Sequence, residues 1–385
     1  MILLLSTSDT DLLCARASGQ NYRLANPART AVEDLPDLLV GVDVVVVRLL
    51  GGRRVWADGL DAVLGRGLPT VVLGGEQAAD ADLMELSTVA GGVAAQAHAY
   101  LAHGGPANLA QLNRFLTDTL LLTGLGFEPP QPTPTWGVRE RPELDGGRPT
   151  IAVLFYRAHQ LAGNTAFVDA LANAIDAAGG RAVPIFCASL RTAEPELLDA
   201  LRQADALVTT VLAAGGSVPA EAGAGGNDED WDVRALAELD VPILQALALT
   251  SPRAQWEASD EGLSPLDTAT QVAIPEFDGR LITVPFSFKE VDEDGLTVYV
   301  PDPERAARVA GIAVRHARLR HVPNSVKRIV LMLSAYPTKH ARIGNAVGLD
   351  TPASLVTLLR RMQEAGYDIG AKGPNPLPGV ADQDG

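Results

Sequence analysis

Cysteine is nearly absent. Cys14 and Cys187 are the only two, far apart and in no metal-ligand spacing, which excludes a disulfide framework and leaves a zinc knuckle without support. Aromatic residues make up only 5% of the chain, and basic side chains, at 31, fall well short of the 47 acidic ones, for a net charge of -16. Such a chain repels a phosphate backbone, and no dense Lys/Arg stripe with interleaved aromatics overrides that locally, so nucleic acid is excluded as a partner. No apolar run approaches the roughly 18 residues of a membrane span, so no membrane role is expected. Met1 to Ser6 has no basic region before its apolar run and no small-residue cleavage site after it, and reads as a first strand. A cytoplasmic protein is expected. The chain also lacks a Gly-x-x-x-x-Gly-Lys-Ser/Thr loop and a Gly-x-Ser-x-Gly elbow, which argues against ATP hydrolysis by a P-loop and against a serine-hydrolase site. His98 and His103, like His316 and His321, are five apart and miss the spacing that puts two ligands on one helix face.

What is present is a chain of 385 residues, 47% hydrophobic, with room for two or three domains. Short β-branched runs alternate with helical stretches: Ile2 to Leu5, Asp43 to Val47 and Thr70 to Leu73 as strands, with helices over Gln77 to Tyr100 and Ala107 to Leu122. Unbroken apolar runs such as Val44 to Val47 suit strands covered on both faces of a parallel sheet. Prolines 129, 130, 132, 134, 142 and 149 then predict an extended connection. A second βα series follows, with strands Ile151 to Phe155, Ala182 to Phe186, Ala206 to Leu212 and Val241 to Ala246, and a helix from Thr165 to Ala178. Pro285 to Glu290 and Leu296 to Val300 flank Asp292-Glu293-Asp294-Gly295 as a hairpin. A strand over Arg328 to Leu333 and a helix opened by Thr351 repeat the βα order and begin a third unit. The expected fold class is α/β, with successive Rossmann-like or flavodoxin-like parallel-sheet domains, the last one truncated. The expected division is an N-terminal α/β domain over 1–128, a Pro-rich linker over 129–149, a second α/β domain with a hairpin insertion over 150–325, and an incomplete third over 326–385 with a disordered tail.

In open α/β sheets ligands gather beyond the carboxyl ends of strands, where loops and helix N-termini converge. Two loops answer that description. The first holds Tyr156, Arg157, His159 and Asn164, and so combines a carboxylate-binding cation, a titratable ring and an Asn helix cap; the alternative reading is a cap with a solvated pair beside it. The second holds Tyr336, Lys339, Arg342 and Asn345 beside Gly344 and Gly348, which permit close backbone approach, as in a ligand-closing or simply mobile loop.

Three segments carry a family resemblance. Phe155 to Thr165, Ala273 to Gly279, and Tyr336-Pro337 followed by Arg342 to Ser354 resemble, in this order, segments of cobaltochelatase large subunits of the CobN type. The opening, with Asn21-Tyr22-Arg23 and Asn26-Pro27, is also similar to such proteins. The resemblance implies the N-terminal part of a large subunit that binds the corrin precursor hydrogenobyrinic acid a,c-diamide while cobalt(II) is inserted in aerobic cobalamin biosynthesis. It implies partners too: an AAA+ ATPase subunit and its adaptor, with cobalt(II) and ATP-Mg handled through those partners and through regions beyond this chain, which itself is expected to bind no cofactor and to be inactive alone. Tyr156, Arg157, His159, Asn164, Tyr336, Lys339, Arg342 and Asn345 are the expected substrate contacts; no catalytic residue is assigned. The competing readings are a docking module for the ATPase subunits and a stand-alone small-ligand binding protein.

Overall fold

The computed structural model describes residues 1–76, 78–142, 146–190, 193–211, 234–333, 344 and 348–370. Residues 1–314 form one compact unit and 315–385 another.

In the first unit, the opening strands β1 (Ile2–Ser6), β2 (Tyr22–Ala25), β3 (Val44–Leu49) and β4 (Thr70–Gly74) form a parallel sheet in the order β2-β1-β3-β4. The alternation of side chains along a strand divides its apolar residues between two faces. Ile2, Leu4, Val44, Val46, Val71 and Leu73 pack with Leu12, Leu101 and Leu112 from the helices Asp9–Ala17, Gly91–His103 and Pro106–Leu121. Leu3, Leu5, Val45, Val47 and Val72 pack on the other side with Leu35, Leu60 and Val63. Both faces are thus covered, which is why these strands read as continuous apolar runs. The helix expected over Gln77 to Tyr100 is two helices, Ala81–Met84 and Gly91–His103. Between them Ser87 and Thr88 turn back to the sheet edge, accepting from the N–H groups of Val72 at 2.9 Å and Thr70 at 2.8 Å. Edge strand β4 is thereby protected.

The second sheet is built from β5 (Trp136–Val138), β6 (Thr150–Tyr156), β7 (Arg181–Cys187), β8 (Ala206–Thr209), β9 (Ile243–Leu249), β10 (Leu281–Val291) and β11 (Thr297–Pro301), in the order β11-β10-β9-β8-β6-β7-β5. β6 to β10 run parallel and the two edge strands antiparallel. β5 lies inside the Pro-rich stretch and takes the edge of β7. Gly180 lets the helix Ala166–Ala177 close on the sheet: a Cβ there would sit 2.7 Å from Ile151 Cδ1 and 2.9 Å from Ile175 Cγ2. The hairpin between β10 and β11 forms as its sequence predicts, with Gly295 at φ +74° and Asp292 Oδ1 accepting from the N–H groups of Asp294 and Leu296.

Beyond residue 314, the helix Thr351–Glu364 matches expectation except for its cap: Asp350, not Thr351, accepts from Ala353 N at 3.0 Å. The strand expected over Arg328 to Leu333 is a correction. Residues 327–333 carry no strand assignment and no partner strand among the described residues, and Val330 and Met332 are more than 80% exposed. A β-strand is defined by its ladder, and alternation alone supplies none. Among the described residues no helix is long and apolar enough to cross a membrane.

Candidate functional site

Both sheets reverse winding direction beside their first parallel strand, between β1 and β3 and between β6 and β8. At such switch points the flanking helices diverge and leave a crevice outside the strand ends. What each crevice holds is set by the side chains there.

In the first sheet it is closed from within. Ser6 and Arg48 are register partners across β1 and β3. The buried Arg48 guanidinium donates to Asp11 Oδ1 at 2.8 Å, to Gly75 O at 2.9 Å and to Leu101 O at 3.2 Å, while Ser6 Oγ donates to Asp11 Oδ2 at 2.7 Å. Burial pushes the Asp11 carboxyl above the usual carboxylate range, against the opposing pull of Arg48.

In the second sheet the crevice is a cavity of about 220 Å³, lined among others by Tyr156, His159, Phe167, Thr210, Gln271 and Tyr299. Tyr156 ends β6 and Thr210 follows β8, so the two lie on either side of the switch point. His159 stands on the short helix Arg157–Ala162, its ring edge-to-face with Phe167 at 5.1 Å and Tyr299 at 5.2 Å between centroids. Burial, reinforced by the charge of Lys289, lowers its pKa from 6.5 to about 4, so the imidazole is neutral at physiological pH. Burial pushes the Tyr299 hydroxyl up to about 12. Gln271 lies on a π-helical turn, Thr268–Ala273, a rare geometry that often accompanies functional sites. That turn is fixed from below: buried Asp267 accepts from Thr250 N at 3.0 Å and Thr250 Oγ1 at 2.9 Å.

Of the first predicted loop, Tyr156 and His159 line this cavity and Asn164 stands behind it. Asn164 does not cap the following helix, whose cap position is Thr165; its Oδ1 accepts from Tyr299 N at 3.0 Å and so holds Tyr299 against His159. Arg157 turns elsewhere. Its guanidinium donates to Pro134 O at 2.7 Å, His103 O at 3.0 Å and the Thr133 hydroxyl, tying the Pro-rich stretch to the first sheet's helix Gly91–His103. Tyr336, Lys339, Arg342 and Asn345 lie outside the described residues. Thr210, Gln271 and Tyr299 escape sequence reasoning because they sit in three distant stretches; their one common signal is a place near the carboxyl ends of β8 and β9 or on the hairpin over them. The family-like segment Ala273 to Gly279 leads into a fully buried ion pair of Asp278 and Arg280 at 2.6 Å, and Arg280 also donates to Gln245 Oε1 at 2.7 Å. Gln245 Nε2 in turn donates to Gln271 Oε1 at 3.4 Å, which links this segment to the cavity wall. Among the described residues no three His, Cys, Asp or Glu side chains gather as a metal site would require.

Residues 98–379 match the family model described as CobN/Magnesium Chelatase. The chain belongs to that family. The solved catalytic subunit of cobaltochelatase from Mycobacterium tuberculosis is 64% identical and superposes with a TM-score of 0.78 over 95% of this chain and 31% of that one. The aerobic cobaltochelatase subunit CobN of Pseudomonas aeruginosa is 33% identical over 96% of this chain and 32% of its own length. A magnesium-chelatase subunit from Rhodobacter capsulatus is 29% identical over 57% of this chain and 19% of its own. This member of the CobN/magnesium chelatase family spans about a third of the length of the cobaltochelatase relatives it matches.

Proposed function

We propose that this chain is the N-terminal part of a cobaltochelatase large subunit and helps to hold a tetrapyrrole, the corrin precursor hydrogenobyrinic acid a,c-diamide, while cobalt(II) is inserted. The observation that carries this reading is the 64% identity to a cobaltochelatase catalytic subunit across 95% of the chain. ATP hydrolysis belongs to a separate AAA+ subunit acting with an adaptor, in keeping with a sequence that has no Gly-x-x-x-x-Gly-Lys-Ser/Thr loop. The protein works in the cytoplasm, where the buried free thiols of Cys14 and Cys187, both raised to about 12 by burial, remain inert.

Size limits what the switch-point cavity does. At about 220 Å³ it falls below the roughly 300–1,000 Å³ of pockets that enclose a whole drug-sized ligand. It admits a peripheral arm, not a macrocycle. Tyr156 and His159 therefore border the pigment's edge and Asn164 supports them, while Arg157 acts by fixing the Pro-rich stretch. Tyr336, Lys339, Arg342 and Asn345 are assigned to the substrate's carboxylates and amides on their charge and their place in or beside the third family-like segment.

Titration of the purified chain with hydrogenobyrinic acid a,c-diamide is expected to give a saturable change in pigment absorbance. An unchanged spectrum at protein concentrations on the order of 100 μM overturns intrinsic pigment binding.

A further inference from the structure

The lining of the second-sheet cavity is mostly apolar, and the polar groups set into it are uncharged. The ring nitrogens of His159, the hydroxyl of Tyr299 and the amide nitrogen of Gln271 have no hydrogen-bond partner among the described residues. Gln271 is only 7% exposed. Polar groups that reach one largely apolar space without a protein partner are satisfied there by a ligand or by ordered water. Thr250, by contrast, is already engaged with Asp267, and the Thr210 hydroxyl donates to Leu154 O at 3.3 Å, which leaves its oxygen able to accept.

We infer that this cavity is a binding site for an uncharged carboxamide arm of a larger ligand. Gln271 Nε2 and the Tyr299 hydroxyl supply donors for the arm's carbonyl oxygen. Neutral His159 and Thr210 supply acceptors for its N–H groups. The flat group fits against the rings of Tyr156, Phe167 and Tyr299 that line the same space. A carboxylate is rejected by the same walls, because no Lys or Arg lines the cavity and burying an unpaired anion is costly. Lys289, whose charge reaches His159, pairs instead with Asp9 at 3.6 Å. The inference rests on the chelatase reading only for the identity of the molecule that bears the arm.

The test uses the full chain labelled with ¹⁵N-histidine, with propionamide and propionate as probes at pH 7. His159→Phe, which keeps a ring among Phe167 and Tyr299, assigns the His159 resonances. Propionamide is expected to move those ring nitrogens saturably, with a dissociation constant of roughly millimolar order for so small a ligand, and to leave the other five histidines unmoved. Propionate is expected to bind at least about tenfold more weakly. Gln271→Leu, with unchanged circular dichroism, is expected to weaken propionamide by about tenfold. Equal response to both probes, or no saturable shift at about 100 mM propionamide, means a cavity that holds water only and overturns the proposal. A chain that takes up pigment yet ignores propionamide defeats this inference and leaves the chelatase reading intact; one that binds propionamide but no pigment does the reverse.

Discussion

At the switch point of the first sheet Arg48 and Asp11 meet at 2.8 Å and fill the crevice, while the equivalent place in the second sheet is a cavity walled by aromatic and uncharged polar side chains. The strand orders around the two places correspond, β2-β1-β3-β4 against β9-β8-β6-β7 read in reverse. Topology therefore offers a crevice twice, and the side chains at the strand ends decide whether it becomes an internal brace or a place for a ligand. An Arg at the end of β3 reaches across to the neighbouring helix and to the backbone carbonyls of Gly75 and Leu101. A Tyr at the end of β6 and a Thr after β8 leave the space unfilled.

The strongest way to break this comparison is to remove half of the brace. Asp11→Ala leaves Arg48 buried without its carboxylate and is expected to cost about 3–5 kcal/mol in urea unfolding. Gln271→Leu removes a long 3.4 Å hydrogen bond and leaves the amide nitrogen of buried Gln245 without that acceptor, and is expected to cost about 1–2 kcal/mol. Equal losses at the two sites would erase the distinction between brace and cavity.

Next in size is a pH effect confined to the second sheet. His159 has a folded pKa of about 4 against an ordinary 6.5, so between these values the unfolded chain binds the proton and the folded chain does not. Stability is then fully present above pH 6.5 and declines as pH falls towards 4, by up to about 3 kcal/mol. His159→Phe is expected to flatten that part of a stability–pH profile; an unchanged slope would show that the ring is not held neutral.

Much of the fold, and little of the cavity, can be read from the chain. Continuous apolar runs such as Ile2 to Leu5 and Ile151 to Phe155 name the buried strands because both their faces are covered. Tyr22–Ala25 and Trp136–Val138 escape notice since they are short, only partly buried, and take their order from the edges they join. Arg328 to Leu333 shows the opposite failure, a strand-like composition with no ladder among the described residues. The cavity is legible only at Tyr156 and His159. Arg157, the most chemically suggestive residue of that loop, has its guanidinium against backbone carbonyls, an arrangement that no local pattern announces.

The smallest expected effect lies between the two sheets. Arg16 donates to both Asp292 and Asp294 at 2.7 Å but is 37% exposed, so Arg16→Ala is expected to cost under about 1 kcal/mol, and less still at high salt. A larger, salt-independent loss would mean that this contact does more than clasp the hairpin turn.

That hairpin has a practical bearing on how the protein can be cut. Leu296, at its turn, sits in the core of the first sheet with Leu12 and Leu101, and Arg157 grips the Pro-rich stretch and His103 together. Severing the chain after residue 128 would uncover a leucine on one piece and deprive the other of its clasp. The apparent linker is an unsuitable place for a boundary; a shortened protein keeps its interior whole only if the break comes after the helix Pro303–Leu319, within which the compact unit ends.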